Sequence, residues 1–576
     1  MQGTCDVGGL RLSWSIWQGQ LLSGKLIALD TETTLIKSPA AVPRLVLGSV
    51  SDGKEHLVIR GDDLARFVEM HQDRHWCSHN VAYDFAVLDR YFATTGASAA
   101  RGWLWSWVEQ GRWHDTMLLG SLVGIAESDR DDQLNLEAAS ERWLGCAGVD
   151  KGSGYRTRYS ELLGVSWADV DPGFFQYAVS DAIVTWRLYM CLRKIADQIV
   201  RNNPLMNATM WRQHGVLTER IQVQAAVSLS RITQRGMRID ADRRQELLDE
   251  LTLQRDLAWQ QMQQRARGYG LLHPRHMGRR CTARDRYLFG LVRDEQSQRP
   301  PQKLRQNKMA LRLLLQEIAT ELGVEPQRTE KSNTIKTDAA SWESCRQHPF
   351  VDAWRRHEDT KKLLQFLENI TSRRVHPRYR VCVRTGRTSC SGPNIQQLPR
   401  NAGIREMIVP SPGHVFLIAD YAAIELRTLA YVCQQRYGFS KLADTIKVGE
   451  DPHVKTAAIF RGESLEQFLR LKQTEPKLFK QLRQQAKALN FGVPGGLGSE
   501  SLVKYAQVTY GVTMSPEEAQ EFRQRLISDV YPELELFLSE NTATILATNL
   551  RADPALVRSQ FPTDRLLGAV RKIVSG

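Results

Sequence analysis

The stretch LIALDTETT, residues 26–34, decides the fold of the first part of the chain. The apolar run from Leu26 to Leu29 predicts a buried strand, and two carboxylates, Asp30 and Glu32, follow at its end. Side chains alternate across a strand, so residues two apart share a face. Two anions at that spacing repel each other and need a counter-charge, which a pair of metal ions would supply. A solvated loop after the strand is the other explanation of this segment.

The composition of the chain is that of an ordinary soluble globular protein with a basic charge. Its 576 residues predict about three or four domains. Lys and Arg total 77 against 64 Asp and Glu, and the net charge of +13 favours a polyanionic partner, most often nucleic acid. Nine dispersed cysteines indicate an intracellular protein with reduced thiols. No apolar run approaches the roughly 18 residues that span a bilayer, so no membrane partner is predicted.

Residues 1–195 alternate short apolar strands with helical patterns, and this alternation predicts an α/β domain. Strands are expected at KLIALDTET, RLVLGSVSD and EHLVIRG, the last two joined by a turn at Asp52-Gly53. From about residue 205 to 375 the pattern becomes mostly helical. Within it, residues 265–286 are dense in Arg and Gly, which suits either a solvated loop or an arm that contacts nucleic acid.

Two later segments carry clear secondary-structure signals. VFLIADY, residues 415–421, places an apolar run ahead of Asp420 and predicts a second buried strand that ends in a carboxylate. EPKLFKQLRQQAKALNFGV, residues 475–493, predicts a helix, with a proline near its start and a Phe-Gly pair at its end.

Further polar residues accompany the first carboxylates. Asp84 follows His79-Asn80 in HNVAYDFAVLDRYF, and Tyr177 precedes Asp181 by four residues in YAVSDAIVTWRLY. Residues i and i+4 lie on one face of a helix, so Tyr177 and Asp181 are expected to point to the same place. Each segment taken alone is typical of a solvated helix.

In this order, DxE, HNxxxD and YxxxD resemble the motifs of the DEDDy family of 3′–5′ exonucleases, and HDTMLLGSL at 114–122 is also similar to that family. The resemblance covers about residues 1–195 and implies a ribonuclease H-like α/β fold. It implies two-metal hydrolysis of a phosphodiester, with Mg²⁺, or Mn²⁺ as an alternative, bound by oxygen ligands. Tyr177 would orient the attacking water. The metal ligands would be Asp30, Glu32, Asp84 and Asp181.

A second group of motifs lies between residues 384 and 492. RTGRTSCSGPNIQQLPR (384–400) is an Arg-rich turn with many hydroxyl and amide donors, which suits contacts to a nucleic-acid backbone. It resembles the TGRxSSxxPNxQxxP motif of family A DNA polymerases, the bacterial DNA polymerase I type. ADYAAIELRTLA (419–430) is similar to motif A of that family, DPHVKTA (451–457) to the segment after it, and RQQAKALNFG (483–492) to motif B.

Motif B also has a physical interpretation. Arg483, Lys487 and Phe491 recur at i, i+4 and i+8, which places two cations and one ring along a single helix face. The cations would grip a triphosphate, and the ring would lie against a base or sugar. The alternative is a helix with a snorkelling basic face.

The family resemblance implies a role for each matching residue. Asp420 would be a metal-binding catalytic carboxylate at a strand end, with the backbone carbonyl of Tyr421 as a second ligand. Glu425 would lie under the sugar of the incoming nucleotide and exclude a 2′-hydroxyl, and His453 would contact the phosphates. The residues that would contact primer and template are Arg387, Asn394 and Gln397.

The sequence departs from the family in two places. Motif B normally has a Tyr four residues after the Phe, where this chain has Gly495. The family's motif C is a His-Asp-Glu in the palm, whereas the His-Asp of this chain, His114-Asp115, lies in the exonuclease region. The sequence therefore predicts a chain truncated before motif C, with a second chain as a candidate supplier of the missing palm.

The predicted layout is an exonuclease domain at 1–195, a helical linker and thumb at 196–375, and an incomplete α+β palm with helical fingers at 376–576. The predicted function is that of a DNA-directed DNA polymerase with a 3′–5′ proofreading exonuclease, acting on primer–template DNA and dNTPs in replication. The layout is similar to that of phage polymerases, and the expected location is the cytoplasm of a bacterium or phage-infected host. Two alternatives stay open: an exonuclease whose polymerase half is only a DNA-holding clamp, and a non-catalytic nucleic-acid-binding protein.

Overall fold

The structure of the chain is a computed structural model. The residues that the structure describes are 1–38, 40–128, 130–146, 154–202, 214–271, 275–277, 288–292, 304–329, 332–399 and 402–539. Within these ranges, none of the helices has the length and apolar character that crossing a membrane requires.

The N-terminal region contains both strands and helices, but five strands precede the first helix, so the predicted alternation holds only from residue 56 to 128. In chain order they are β1 (Gln2–Val7), β2 (Leu10–Ile16), β3 (Leu26–Thr33), β4 (Leu45–Ser51), β5 (His56–Arg60), α1 (Gly61–Met70), β6 (His75–Ser78), α2 (Val81–Thr95), α3 (Ser98–Gln110), β7 (Trp113–Asp115), α4 (Thr116–Ser128), α5 (Leu136–Leu144) and α6 (Pro172–Asn202).

The strands form one seven-stranded mixed sheet in the order β1-β2-β5-β4-β3-β6-β7. The predicted strand at 26–33 is β3, which pairs antiparallel with β4 and parallel with β6. The register of the β3–β4 pair shifts between Glu32 and Thr33, next to the carboxylates. Such irregularities are common beside active sites because they redirect a side chain.

Because successive side chains of β3 point to opposite faces of the sheet, they pack into two different hydrophobic cores. Ile27 and Leu29 pack with helices α1, α2 and α3 on one face of the sheet. Ala28 packs with α4 and α6 on the other face. Asp30 and Glu32 share the alternation of Ala28, so they face the α6 side, as their spacing predicts.

The elements after residue 214 are mostly helical, as predicted. They are α7 (Glu219–Arg235), β8 (Met237–Ile239), α8 (Ala241–Gly268), β9 (Arg275–Met277), β10 (Phe289–Val292), β11 (Leu304–Gln306), α9 (Lys308–Leu322), α10 (Pro349–Glu368), β12 (Arg374–Val375), β13 (Arg378–Arg380), β14 (Ser389–Ser391), β15 (Ile408–Val409), α11 (Ile424–Tyr437), α12 (Lys441–Lys447), α13 (Pro452–Arg461), α14 (Leu465–Thr474), α15 (Pro476–Gly492), α16 (Ser499–Tyr505) and α17 (Pro516–Arg525).

The long helices α8 and α10 pack along each other and form the central helical part of the chain. The Arg- and Gly-rich segment 265–286 begins inside α8 and includes β9, so its start is helical and not a loop. Its remaining residues lie largely outside the described ranges. Helix α15 confirms the helix predicted at 475–493 almost residue for residue.

The hydrophobic core of the N-terminal sheet is not formed by N-terminal residues alone. Val223 and Val227 of α7 are buried against the α1–α3 face of the sheet. Val381 and Cys382, more than 140 residues further along the chain, are buried in the same cluster. The packing of the first sheet is therefore completed by later parts of the chain.

The prediction of a buried strand at 415–421 was wrong. Residues 411–421 form no strand, and Val415, Leu417 and Ile418 are 89%, 95% and 89% exposed. An apolar strand needs neighbours that satisfy its backbone and cover its side chains. Among the described residues no strand pairs with this segment, so Asp420 lies on an exposed, unpaired stretch and not at the end of a buried strand.

Candidate functional site

The first site lies where β3 meets α6. Asp30 and Glu32 come from β3, and Asp181 comes from α6, which packs across β3 and β4. One ligand oxygen from each of these three carboxylates lies within 4.8 Å of the others. The structure thus brings together three of the four metal ligands predicted from the sequence.

The fourth carboxylate, Asp84, approaches from the first turn of α2. One of its oxygens accepts hydrogen bonds from the Thr31 backbone N–H at 3.1 Å and the Thr31 hydroxyl at 2.6 Å. Thr31 lies between Asp30 and Glu32 on β3, so its two hydrogen bonds to Asp84 fix the start of α2 against the strand. The other oxygen of Asp84 and Oε1 of Glu32 are buried without a hydrogen-bond partner among the described residues.

The carboxylates strongly disfavour being charged together. Burial, followed by repulsion from Glu32, Asp84 and Asp181, raises the pKa of Asp30 well above its usual range. Burial and the charge of Asp181 raise the pKa of Glu32 to about 8. Burial raises the pKa of Asp84 to about 7.

Two tyrosines border the carboxylates. Tyr177 is buried one helical turn before Asp181, and burial together with the charges of Asp181 and Glu32 raises the pKa of its phenol, which therefore stays neutral. Tyr159 is fully buried and donates a hydrogen bond to the Phe174 carbonyl at 2.9 Å, and burial together with the nearby charge of Glu32 raises the pKa of its phenol. Tyr177 was predicted from the sequence, whereas Tyr159 was not.

The side chains present fit a divalent metal. Hard cations such as Mg²⁺ prefer oxygen ligands, and this cluster offers only carboxylate oxygens. The unpartnered buried oxygens of Glu32 and Asp84 are groups that a protein interior rarely leaves without a partner. A positive ion between them would satisfy these oxygens and offset both the burial and the repulsion that raise the pKa values.

Asp115 has a structural role in the described fold. Its buried carboxylate accepts hydrogen bonds from backbone N–H groups at the starts of both α2 and α4. His114 contacts Glu219 of α7 through Nδ1 at 3.2 Å. The His-Asp pair therefore anchors helices inside the first sheet and does not take the place of motif C.

The second group of predicted residues gathers around α13 and α15. The guanidinium of Arg483 donates to Asp451 at 2.6 and 3.0 Å, and Asp451 also caps the N-terminus of α13. His453, in the first turn of α13, is buried beside Asn490, whose side-chain amide lies 3.1 Å from Nδ1. Burial lowers the pKa of His453 to about 4, so the ring is neutral near pH 7.

The remaining predicted nucleotide contacts flank this group. The ring of Phe491 lies 5.3 Å from that of His453, and the Lys487 ammonium lies 5.7 Å from the centre of the Tyr510 ring. Glu425, at the start of α11, accepts a hydrogen bond from Arg387 at 2.8 Å. The structure therefore pairs Glu425, which is predicted to contact the sugar, with Arg387, which is predicted to contact the primer. Both side chains are exposed.

Three other predicted residues are described by the structure but are not brought together with the groups above. Tyr421 is exposed beside Asp420 on the unpaired segment. Gln397 is exposed at the end of a short turn. The side-chain oxygen of Asn394 is buried without a hydrogen-bond partner among the described residues.

Sequence reasoning missed four residues of these sites. Thr31 stands inside the DxE motif and could have been noticed as its central hydroxyl. Asp451 precedes Pro452 at a helix start, a capping signal visible in the sequence. Tyr159 and Tyr510 carry no local signal, because their roles arise from contacts between distant parts of the chain.

The later part of the chain is similar to known DNA polymerases. Residues 306–559 match the model of DNA polymerase family A. DNA polymerase I of Aquifex aeolicus is 34% identical over 169 residues, which are 29% of this chain and 27% of that protein. The thermostable DNA polymerase I of Thermus filiformis is 32% identical over 219 residues, 36% of this chain and 24% of that protein. These matches span about a quarter of the length of the two relatives.

A solved structure extends the likeness in fold to most of the chain. The POL domain of Pol1 from M. smegmatis, in complex with DNA primer-template and dNTP, covers 95% of this chain with a TM-score of 0.58. The match covers 81% of that domain at 17% sequence identity, so it shows the right-hand polymerase fold alone. The resemblance to family A DNA polymerases of the bacterial DNA polymerase I type is confirmed, and it rests on residues 306–559.

Proposed function

We propose that this chain is a DNA-directed DNA polymerase with 3′–5′ exonuclease activity, which acts on primer–template DNA and dNTPs in replication. The family match supports the polymerase half. The observation that carries the exonuclease half is the buried cluster of Asp30, Glu32 and Asp181. The expected place of action is the cytoplasm, and the expected layout keeps the exonuclease at 1–195, the helical region at 196–375, and palm and fingers from 376 onward.

In the exonuclease, the four carboxylates Asp30, Glu32, Asp84 and Asp181 would hold two divalent ions. Bound Mg²⁺ or Mn²⁺ would supply an activated nucleophile and neutralise charge on the leaving oxygen. The protein's own groups do the positioning. Thr31 fixes Asp84 through two hydrogen bonds, and the neutral Tyr177 phenol offers a hydroxyl that orients the attacking water.

In the polymerase, the residues of α13 and α15 would receive the nucleotide. Arg483 and Lys487 offer charge to a triphosphate, and Phe491 offers a ring to the base or sugar. Arg483 already holds a carboxylate, that of Asp451, at the position where phosphate oxygens would compete for it. Arg387, Asn394 and Gln397 would contact primer and template.

The exposed segment 415–421 favours a second candidate function. Asp420 and the backbone carbonyl of Tyr421 would bind the polymerase metals only if strands from outside the described residues, in this polypeptide or a partner chain, cover the segment. With the segment uncovered, the chain would act as an exonuclease with a DNA-holding clamp.

The test uses a 5′-labelled primer on a longer template, with Mg²⁺, with and without the four dNTPs. Products longer than the primer support the polymerase. Shortening in both reactions that Asp30→Ala abolishes supports the exonuclease alone. Absence of both products would overturn the proposal and favour a non-catalytic DNA-binding protein.

A further inference from the structure

The loop that follows α4 contacts the hairpin that carries a predicted primer contact. Strands β13 and β14 pair antiparallel, and the connection between them includes Arg387. A turn closes within this connection, where the Gly386 N–H donates to the Val383 carbonyl at 2.9 Å. The carboxylate of Asp131, in the loop after α4, accepts a hydrogen bond from the backbone N–H of Arg384 in this turn at 3.2 Å. A residue of the nuclease region therefore fixes the hairpin backbone three residues before Arg387.

The same carboxylate makes a second contact, with Arg380 of β13. Oδ1 of Asp131 lies 3.7 Å from Nη2 of the Arg380 guanidinium, and both side chains are half-buried. Val381 and Cys382, between the two contacts of Asp131, are buried in the core of the first sheet. Polar and apolar contacts together hold residues 380–384 against the nuclease region.

The loop that carries Asp131 is itself held in place. The hydroxyl of Ser121, on α4, donates a hydrogen bond to the Asp132 carbonyl at 2.8 Å. Nε2 of His79 lies 3.0 Å from the Leu134 carbonyl, further along the same loop. Asp131 therefore projects from a loop that is tied to the nuclease region, and it offers the hairpin a fixed point of attachment.

Arg387 needs such an attachment because its own side-chain contact is weak. Its ion pair with Glu425, at 2.8 Å, joins side chains that are 70% and 57% exposed. Water and salt screen exposed ion pairs, which contribute little to holding a side chain in one place. The position of the backbone therefore decides where the guanidinium of Arg387 can reach. That backbone directly follows the turn that Asp131 holds.

We propose that Asp131 is a positioning residue of the DNA site, which holds the turn before Arg387 so that this guanidinium reaches the primer–template. The inference rests on the proposed function, in which Arg387 contacts primer and template. Its effect differs in sign from that of a simple surface charge. Loss of an anion near a polyanionic ligand strengthens binding by electrostatics alone. Loss of a support for Arg387 weakens binding.

The experiment measures the dissociation constant of a fluorescently labelled primer–template by anisotropy at one salt concentration. The parent is full-length protein carrying Asp30→Asn, which prevents primer shortening. Asp131→Ala removes both contacts of the carboxylate, whereas Asp131→Asn keeps an acceptor oxygen for the Arg384 N–H and loses the charge toward Arg380. Asp132→Ala is the matched control, because it removes the same charge one residue further along from a side chain that is 57% exposed. Thermal melting checks that each variant is folded.

Asp131→Ala should weaken primer–template binding about three- to tenfold, as the loss of a charge-assisted hydrogen bond predicts. Asp131→Asn should weaken it less, because an acceptor oxygen remains. Asp132→Ala should leave binding unchanged or strengthen it. Arg387→Ala should weaken binding by itself, and in that protein Asp131→Ala should cause no further weakening. Because a general loss of stability would act with or without Arg387, this last comparison identifies the positioning role.

The outcomes separate failure of this inference from failure of the proposed function. Unchanged or stronger binding by Asp131→Ala would overturn the role of Asp131, and so would equal weakening with and without the Arg387 side chain. Extension of the same primer by the chain with Asp30 intact is measured in parallel with the four dNTPs. Absence of extension, with weakening by Asp131→Ala that requires Arg387, would overturn the polymerase function while the role of Asp131 in DNA binding stands.

Discussion

Asp30 and Asp420 both follow an apolar run, yet they lie in opposite surroundings. Asp30 ends a stretch of β3 that is paired on both edges, and α6 covers its face. Asp420 ends a stretch that is exposed along its whole length and unpaired among the described residues. An apolar run ending in Asp therefore does not itself make a metal site.

The difference teaches that the neighbouring elements determine the electrostatics of such a carboxylate. At Asp30, burial and three nearby carboxylates create a repulsion that a divalent ion would relieve. Around Asp420 the exposed backbone leaves the carboxylate in water, where it gains little by binding an ion alone. The first site is assembled within the described fold, and the second requires further strands.

The largest expected effect is at the assembled site. Asp30→Asn should lower primer shortening by about a thousandfold or more, because it removes a charged metal ligand without changing side-chain size. A gel assay on a 5′-labelled single strand measures this loss. Asp73→Asn, at an exposed aspartate, is the matched control and should leave the rate unchanged. Full activity of Asp30→Asn would show that the carboxylate cluster is not the nuclease centre.

Hydrogen exchange compares the two stretches directly. Amides of β3 should exchange about a thousandfold more slowly than those of residues 415–420, because only the former have ladder partners that must open first. Mass spectrometry of peptides from the full-length protein measures both. Equal protection would mean that the apolar segment is covered in solution. Slowing of exchange at 415–420 alone on addition of a partner chain would show that the partner covers this segment.

Tyr177→Phe should have a smaller effect than loss of a ligand. Removing the hydroxyl while keeping the buried ring should reduce primer shortening about 10- to 100-fold, since a positioned water is lost but the carboxylates remain. The dependence of rate on Mg²⁺ concentration should stay unchanged, which distinguishes this variant from Asp30→Asn. A change in the Mg²⁺ requirement would instead indicate that Tyr177 shapes the ligand cluster.

The pH dependence of stability should reflect the same cluster. Because the pKa values of Asp30, Glu32 and Asp84 are raised by folding, the folded state holds more protons than the unfolded state, and stability falls as pH rises from about 4 toward 8. In the presence of EDTA we expect the melting temperature to fall by roughly 5 °C between pH 5 and 8. Excess Mg²⁺ should restore it, and Asp30→Asn should weaken both effects. A pH-independent melting temperature would contradict this electrostatic account.

Local patterns predicted the parts of the molecule that local forces determine. The spacing of Asp30 and Glu32 and the alternation along β3 placed both carboxylates on one face, and the helical pattern at 475–493 gave α15. The i, i+4 spacing of Tyr177 and Asp181 was equally reliable, because helix geometry fixes which residues share a face.

Other features depended on partners far away in the sequence. Nothing near Arg483 indicates that Asp451, on another helix, holds its guanidinium. The contact of Tyr510 with Lys487 depends on the turn of π-helix at Ala506–Tyr510, which no sequence pattern predicts. The apolar signal at 415–421 was strong but incomplete, since a strand exists only where another strand can pair with it.

The burial of Val381 and Cys382 against the first sheet has a consequence for how this protein can be divided by proteolysis or in evolution. A fragment that ended after α6 would expose apolar surface on the first sheet, since it would lack α7 and these two residues. A separate domain made of this sheet alone would need polar residues at the sheet positions that the later chain now covers. The N-terminal sheet therefore shares its hydrophobic core with later parts of the chain, and its boundary does not coincide with the end of α6.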